Sequence, residues 1–238
     1  MIPKKIHYCW FGRGEKPKLA KKSIDSWKKF CPDYEIIEWN EDNFDVNMNE
    51  YTQMCYEQKK YAFLSDYVRL LVVYQNGGLY FDTDVELIKN PDFLLKEEAF
   101  FGFETEGTKN KNEIINTGLA FGSIASGLAL KAMLDEYNPL LDGKHGTIGC
   151  PILNTNAMIK LGLKSESAIQ KLPYATIYPK EYFNPYESTT GVLKKTKNTV
   201  SIHWYAGSWL SPAQRVKSIF TRPLHRIFGT ECFQKIKK

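Results

Sequence analysis

Residues 63–86 read Phe-Leu-Ser-Asp-Tyr-Val-Arg-Leu-Leu-Val-Val-Tyr-Gln-Asn-Gly-Gly-Leu-Tyr-Phe-Asp-Thr-Asp-Val-Glu. Phe63, Leu64, Val68, Leu71, Val72 and Tyr74 give the mixed i, i+3 and i+4 apolar spacing of a buried helix. Gly77 and Gly78 end it, since glycine just past a helical run suits the left-handed cap that lets the chain reverse. Leu79-Tyr80-Phe81 then reads as a short buried strand. Asp82 and Asp84 follow, either side of Thr83; in extended chain alternate residues project to one side, so both carboxylates can face one point. A hard cation would relieve their repulsion, and a strand end is where an open α/β sheet places its ligand. The plain alternative is a strand-to-loop turn with two solvated aspartates. Asp66 and Arg69 share one face of the helix at i, i+3. They read either as a structural salt bridge or as a pair facing an anionic ligand beside the metal.

At 238 residues, with 43% hydrophobic and 14% aromatic residues, the chain is long enough and apolar enough for one globular domain. Cys9, Cys31, Cys55, Cys150 and Cys232 are odd in number and scattered, without a C-x-x-C pair, which suits a reducing compartment. The N-terminal residues lack an apolar signal core and no apolar run reaches membrane-spanning length, so a cytoplasmic location is expected. The net charge of +5 is concentrated late, through Lys194, Lys195, Lys197, Arg215, Lys217, Arg222, Arg226, Lys235, Lys237 and Lys238. Such a tail reads first as a solvated face, with a peripheral contact to an anionic membrane surface or to nucleic acid as the alternatives, and a nucleic-acid partner is not expected.

Lys5–Phe11 reads as the first strand, Pro17–Phe30 as an amphipathic helix and Tyr34–Trp39 as the second strand. Strand, helix, strand implies a right-handed parallel unit, so the class is α/β, with a mixed, mostly parallel sheet flanked by helices. No G-x-G-x-x-G or Walker loop is present, so phosphates need another holder. Asn49–Lys59 reads as a helix, Val85–Leu87 as an outward continuation of the strand that precedes the acids, and Phe100–Glu104 as a strand. Asn116–Gly122 reads as a strand rich in small residues, Gly127–Tyr137 and Pro151–Leu161 as helices, and Ala175–Pro179 and Val200–Trp204 as the last strands. His7 reads as a core histidine. Trp10 is either core or a flat ring at a strand end.

Ser65-Asp66-Tyr67-Val68-Arg69 followed by Gly77-Gly78-Leu79-Tyr80-Phe81-Asp82-Thr83-Asp84 resembles the signature of glycosyltransferase family 32, shared with the catalytic domains of large glucosylating bacterial toxins. The resemblance implies a single GT-A-type nucleotide-sugar-binding domain over 1–238. Residues 1–104 would form the donor half, 105–210 the acceptor half and lid, and 211–238 a basic helical tail. It implies that Asp82 and Asp84 hold Mn²⁺ or Mg²⁺, with His203 as third ligand at a position where the toxins carry an acid. It implies that Asp66 and Arg69 hold sugar hydroxyls, that Trp10 stacks on the base, that Tyr80 sits near the ribose or diphosphate, and that Ser208 and Trp209 clamp the phosphates. Asn116–Gly122 would line the acceptor side. Thr147-Ile148-Gly149-Cys150-Pro151 resembles a Thr-x-Gly-x-Pro loop of the family, with a cysteine as the departure.

The expected activity is transfer of a hexose from a nucleoside-diphosphate sugar, a UDP-hexose in most of the resembling proteins, to a glycan or lipid-linked saccharide of the capsular or O-antigen kind, with retention. Relatives that use guanosine diphosphate mannose share the same acids. The alternatives are a metal-dependent phosphohydrolase or nuclease, and a nucleotide-sugar-binding module without turnover. Asp84→Ala is expected to abolish metal-dependent donor binding at little cost in stability, because it removes one of two repelling carboxylates.

Overall fold

In the computed structural model, residues 1–105, 114–207 and 221–229 are described. The chain runs β1 (Lys5–Cys9), α1 (Lys18–Phe30), β2 (Glu35–Trp39), α2 (Glu50–Glu57), α3 (Tyr61–Asn76), β3 (Gly78–Tyr80), β4 (Val85–Leu87), β5 (Ala99–Thr105), β6 (Ile114–Ile115), β7 (Phe121–Ser123), α4 (Leu128–Asp135), α5 (Cys150–Lys160), β8 (Gln170–Leu172), β9 (Ala175–Tyr178), α6 (Lys180–Phe183), β10 (Tyr186–Glu187), β11 (Val192–Leu193) and β12 (Ser201–His203). Residues 221–228 are helical.

The main sheet has the order β2-β1-β3-β7-β5-β9-β8, with β6 also on β5. β2, β1, β3, β5 and β9 run one way, and β7, β6 and β8 run against them. This is the mixed, mostly parallel α/β sheet expected, with apolar clusters on both faces. One gathers α2, α3, α4 and α5; the other packs α1. On α1, Ala20, Ser23, Ile24 and Trp27 are buried at i, i+3, i+4 and i+7, and the lysines lie outside. Trp27 Nε1 donates to the Val85 carbonyl at 2.8 Å, tying α1 to β4.

α3 carries buried Leu64, Tyr67, Val68, Leu70, Val72 and Val73, so it is apolar nearly all round, as a central helix must be. Gly77 closes it at φ +64°, where a Cβ would lie 2.9 Å from Pro3 and from the Ala125 nitrogen. Only glycine fits both the left-handed backbone and the close approach. His7 fixes the same corner. Trp39 Nε1 donates to its Nδ1 at 3.0 Å, so its Nε2–H donates to the Gly77 carbonyl at 2.8 Å. Burial keeps this ring below the usual histidine pKa and neutral.

Three local expectations are corrected. The Asp82-Thr83-Asp84 segment is a turn, closed by Val85 N–H donating to the Asp82 carbonyl at 2.9 Å; curvature, not strand alternation, brings the acids together. β4 does not prolong β3; it leaves the main sheet and pairs antiparallel with β12, Val85 opposite His203. Residues 116–120 are not a strand: they bulge out between β6 and β7, both of which lie along β5. β8, the β10–β11 hairpin and α6 lay outside the sequence reading, being too short for a periodic signal.

Candidate active site

A cavity of about 870 Å³ opens where the C-terminal ends of β1 and β3 meet α3, the 116–118 bulge, the start of α5 and the late chain. Its acid floor is Asp66, Arg69, Asp82 and Asp84. Arg69 is 4% exposed at its side chain and lies between two carboxylates, 2.7 Å from Asp66 and 3.3 Å from Asp82. Its Nε also donates to the Ser65 carbonyl at 3.1 Å. Burial opposes its charge, but Asp82 and Asp66 outweigh burial and hold it protonated. The i, i+3 pair of the sequence is thus both a buried salt bridge and part of the cavity wall.

Burial pushes the Asp82 carboxyl up to about 6, opposed by Arg69 and reinforced by Asp84. Asp84, also half-buried, behaves differently because His203 and the Ala206 N–H hold its carboxyl below the usual range. His203 Nε2 lies 3.1 Å from Asp84 Oδ1, and Ala206 N–H donates to Asp84 Oδ2 at 2.7 Å. Burial works against a charged His203, and Asp84 reverses that, raising its pKa.

Asp82, Asp84 and His203 each offer a ligand atom within 4.8 Å of the others. The 3.1 Å separation of His203 and Asp84 matches the edge of an octahedral shell with ligands at about 2.1 Å, roughly 3 Å. His203 turns Nε2 toward Asp84, which makes Nε2 the nitrogen that would bind the ion, while Nδ1 is buried with no hydrogen-bond partner. Two carboxylates and an imidazole fit a divalent cation of the Mn²⁺ or Mg²⁺ type.

The structure brings Trp10 to the cavity rim, half-buried, its Nε1 donating to the Gly14 carbonyl at 2.7 Å. Tyr80 lies within the core under the acids. It is 1% exposed, beneath the floor, with its hydroxyl donating to Asp82 Oδ1 at 3.0 Å and its ring 5.1 Å from the Arg69 guanidinium. It supports the acids from below. Ser208 and Trp209 fall outside the described residues.

Glu104 and Tyr205 escaped the sequence reading, whereas Gly118 and Cys150 lie in segments that it singled out. Glu104, at the end of β5, lines the cavity and accepts from the Tyr205 hydroxyl at 3.3 Å. Tyr205 takes φ +51°, rare for a side chain of its size, and lays its ring 4.2 Å from His203. Gly118 lies so close to the acids that a Cβ there would be 2.6 Å from Asp82 Oδ2 and 2.9 Å from Arg69 Nη1. Asn154 Nδ2 donates to Thr117 Oγ1 at 2.9 Å and holds the bulge in place. Cys150, the departure in the 147–151 loop, lines the cavity with its N–H 3.4 Å from Asp66 Oδ2. Thr221, Arg222 and His225, part of the basic tail in the sequence, form the far wall.

Residues 17–101 match the family model described as a glycosyltransferase sugar-binding region containing the DXD motif. Among solved structures, the chain is similar to the PaToxG glycosyltransferase, at 19% identity and a TM-score of 0.52, over 67% of this chain and 69% of that one. It is also similar to a glycosyltransferase involved in glycosylation of the major capsid of PBCV-1, at 10% identity and a TM-score of 0.49, over 90% and 98%. A comparison with the curated proteins finds no match. The fold is therefore GT-A-like, and its DXD acids lie in the part that matches the family model.

Proposed function

We propose that this protein is a metal-dependent retaining glycosyltransferase that moves a hexose from a nucleoside-diphosphate sugar, a UDP-hexose first among them, to a glycan or lipid-linked saccharide precursor. The observation that carries this reading is the convergence of Asp82, Asp84 and His203 within 4.8 Å, in one cavity with the Asp66–Arg69 pair. A divalent cation held by the three would neutralise charge on the departing diphosphate. Arg69 is fixed by two carboxylates and presents its guanidinium edge to donor hydroxyls or a phosphate; Asp66 accepts from a sugar hydroxyl. Trp10 offers a flat face for the base, and Asn116 stands in the cavity wall, its bulge seated against the acids because Gly118 has no side chain there. Among the described residues the ligand set is one cluster of three, which favours a single ion over the paired metals of a phosphohydrolase.

The test is a thermal-shift panel of nucleotide sugars, each with and without Mn²⁺. A ligand that binds only the folded state raises the midpoint by mass action. The proposal expects a shift confined to one donor and dependent on metal, followed by slow Mn²⁺-dependent hydrolysis of that donor. No shift with any donor, together with cleavage of simple phosphodiesters, would favour the hydrolase.

A further inference from the structure

The 221–228 helix has two faces of opposite chemistry. Thr221, Arg222 and His225 line the cavity. Arg222 Nε donates to the Ser188 carbonyl at 3.1 Å, and Arg226 donates to the Thr190 and Gly191 carbonyls at 2.5 and 2.9 Å. Arg222 and Arg226, two arginines of the supposed basic tail, therefore fasten the helix to the β10–β11 turn. The other face carries Leu224, Ile227 and Phe228, at i, i+3 and i+4, exposed by 40%, 72% and 68%. Single exposed apolar residues are ordinary, but three on one face of one short helix make a patch. Leu193, at the end of β11, is also exposed, and it leads into exposed Lys194, Lys195 and Lys197.

Between Glu187 and Glu231 the sequence has no acidic residue and seven Lys and Arg. No described helix is long and apolar enough to cross a membrane. An apolar stripe too short to span, on a helix fastened to the β10–β11 turn that leads into three exposed lysines, suits the interface of an anionic bilayer, where the side chains would enter the acyl boundary and the lysines meet the headgroups.

We propose that the 221–228 helix docks the protein on an anionic lipid surface through Leu224, Ile227 and Phe228, with Lys194, Lys195 and Lys197 against the headgroups. Because the inner face of the same helix is a cavity wall, docking places the site beside the bilayer, where a lipid-linked acceptor presents its sugar. That consequence rests on the transferase reading; the docking itself does not.

The experiment is cosedimentation of the full chain with vesicles of phosphatidylcholine containing about a third phosphatidylglycerol, and with phosphatidylcholine alone. Binding should be at least about tenfold tighter to the anionic vesicles and should weaken with salt. Ile227→Ser/Phe228→Ser should lower it about tenfold or more, without moving the melting midpoint, because both side chains are exposed. Lys194→Gln/Lys195→Gln/Lys197→Gln should remove most of the salt dependence. Equal vesicle binding by the serine variant and the parent would overturn the proposal. So would an absence of vesicle binding together with a dimer that the serine variant dissociates, which would make a second copy the occupant. Asp84→Ala separates the two readings: it should lose the donor and keep the vesicles.

Discussion

The acid floor and the late wall of the cavity reach the same space by different routes. Asp66, Arg69, Asp82 and Asp84 come from one helix, one glycine corner and one turn, and buried ion pairs at 2.7 and 3.3 Å hold the floor together. The late wall arrives on β12, a three-residue strand paired with β4, and is latched by the Ala206 N–H on an Asp84 side chain 122 residues away. The floor is therefore specified locally, whereas the late wall depends on the floor. Asp84 serves both, as ligand and as latch. That changes the expectation for its removal: repulsion from Asp82 is relieved, but the hydrogen bond to Ala206 and the pair with His203 are lost.

Breaking the latch is expected to have the largest effect. Asp84→Ala should reduce Mn²⁺-dependent donor binding at least about a hundredfold, and it should also cost about 1–3 kcal/mol in urea unfolding, since the partners of a buried carboxylate are stranded. Unchanged donor affinity in a folded variant would remove Asp84 from the site.

Breaking the floor instead should show first in stability. Arg69→Met leaves Asp66 and Asp82 facing each other without a cation, at an expected loss of about 3–5 kcal/mol. Added Mn²⁺ should restore part of it if the carboxylates lie where the cation binds. A variant as stable as the parent would show that the ion pairs contribute nothing net.

Proton linkage sharpens the comparison. Cation binding needs Asp82 ionised, although burial raises it to about 6, and a His203 nitrogen free, although Asp84 raises that ring. Mn²⁺ affinity should therefore climb between about pH 5 and about pH 8, with proton release. In metal-free protein the sign is opposite. His203, raised by Asp84, stabilises the fold below its unfolded pKa of 6.5, and that contribution is lost as pH rises through the folded value. Burying ionised Asp82 adds a cost in the same direction. The Mn²⁺-induced rise in melting midpoint should thus be small at about pH 5.5 and large at about pH 8. A pH-independent rise would place the ion elsewhere.

Smaller effects belong to the margins of the floor. Trp10→Ala should weaken free nucleotide about tenfold while its half-buried ring costs little stability; a variant that only melts earlier would return Trp10 to the core. Tyr80→Phe removes one hydrogen bond to Asp82 and should shift Mn²⁺ affinity only a few-fold, read by titration calorimetry.

The same division explains what the sequence reveals. The helix, the Gly77–Gly78 corner and β3 are legible because apolar period and glycine are local signals. The acids are legible as a pair, but their turn is not. Asp-Thr-Asp suits strand end and turn alike, and the choice is made by Val85, which is drawn out of line to pair with His203. The bulge at 116–120 carries a turn-forming Asn-Thr-Gly that the small-residue strand reading overrode. Glu104 and Tyr205 are invisible locally, since each matters only where two distant strand ends meet. The tail reads correctly as basic, yet composition cannot say that Arg222 and Arg226 are spent on the carbonyls of residues 188–191.

The central claim is that early acids and a late histidine hold one cation. Mn²⁺ binding followed by electron paramagnetic resonance, with UDP present, on the parent, Asp82→Asn and His203→Ala tests it most directly. One bound ion in the parent, with affinity lost in Asp82→Asn and reduced at least about tenfold in His203→Ala, is the predicted result. Equal Mn²⁺ affinity and identical spectra in all three proteins would contradict it.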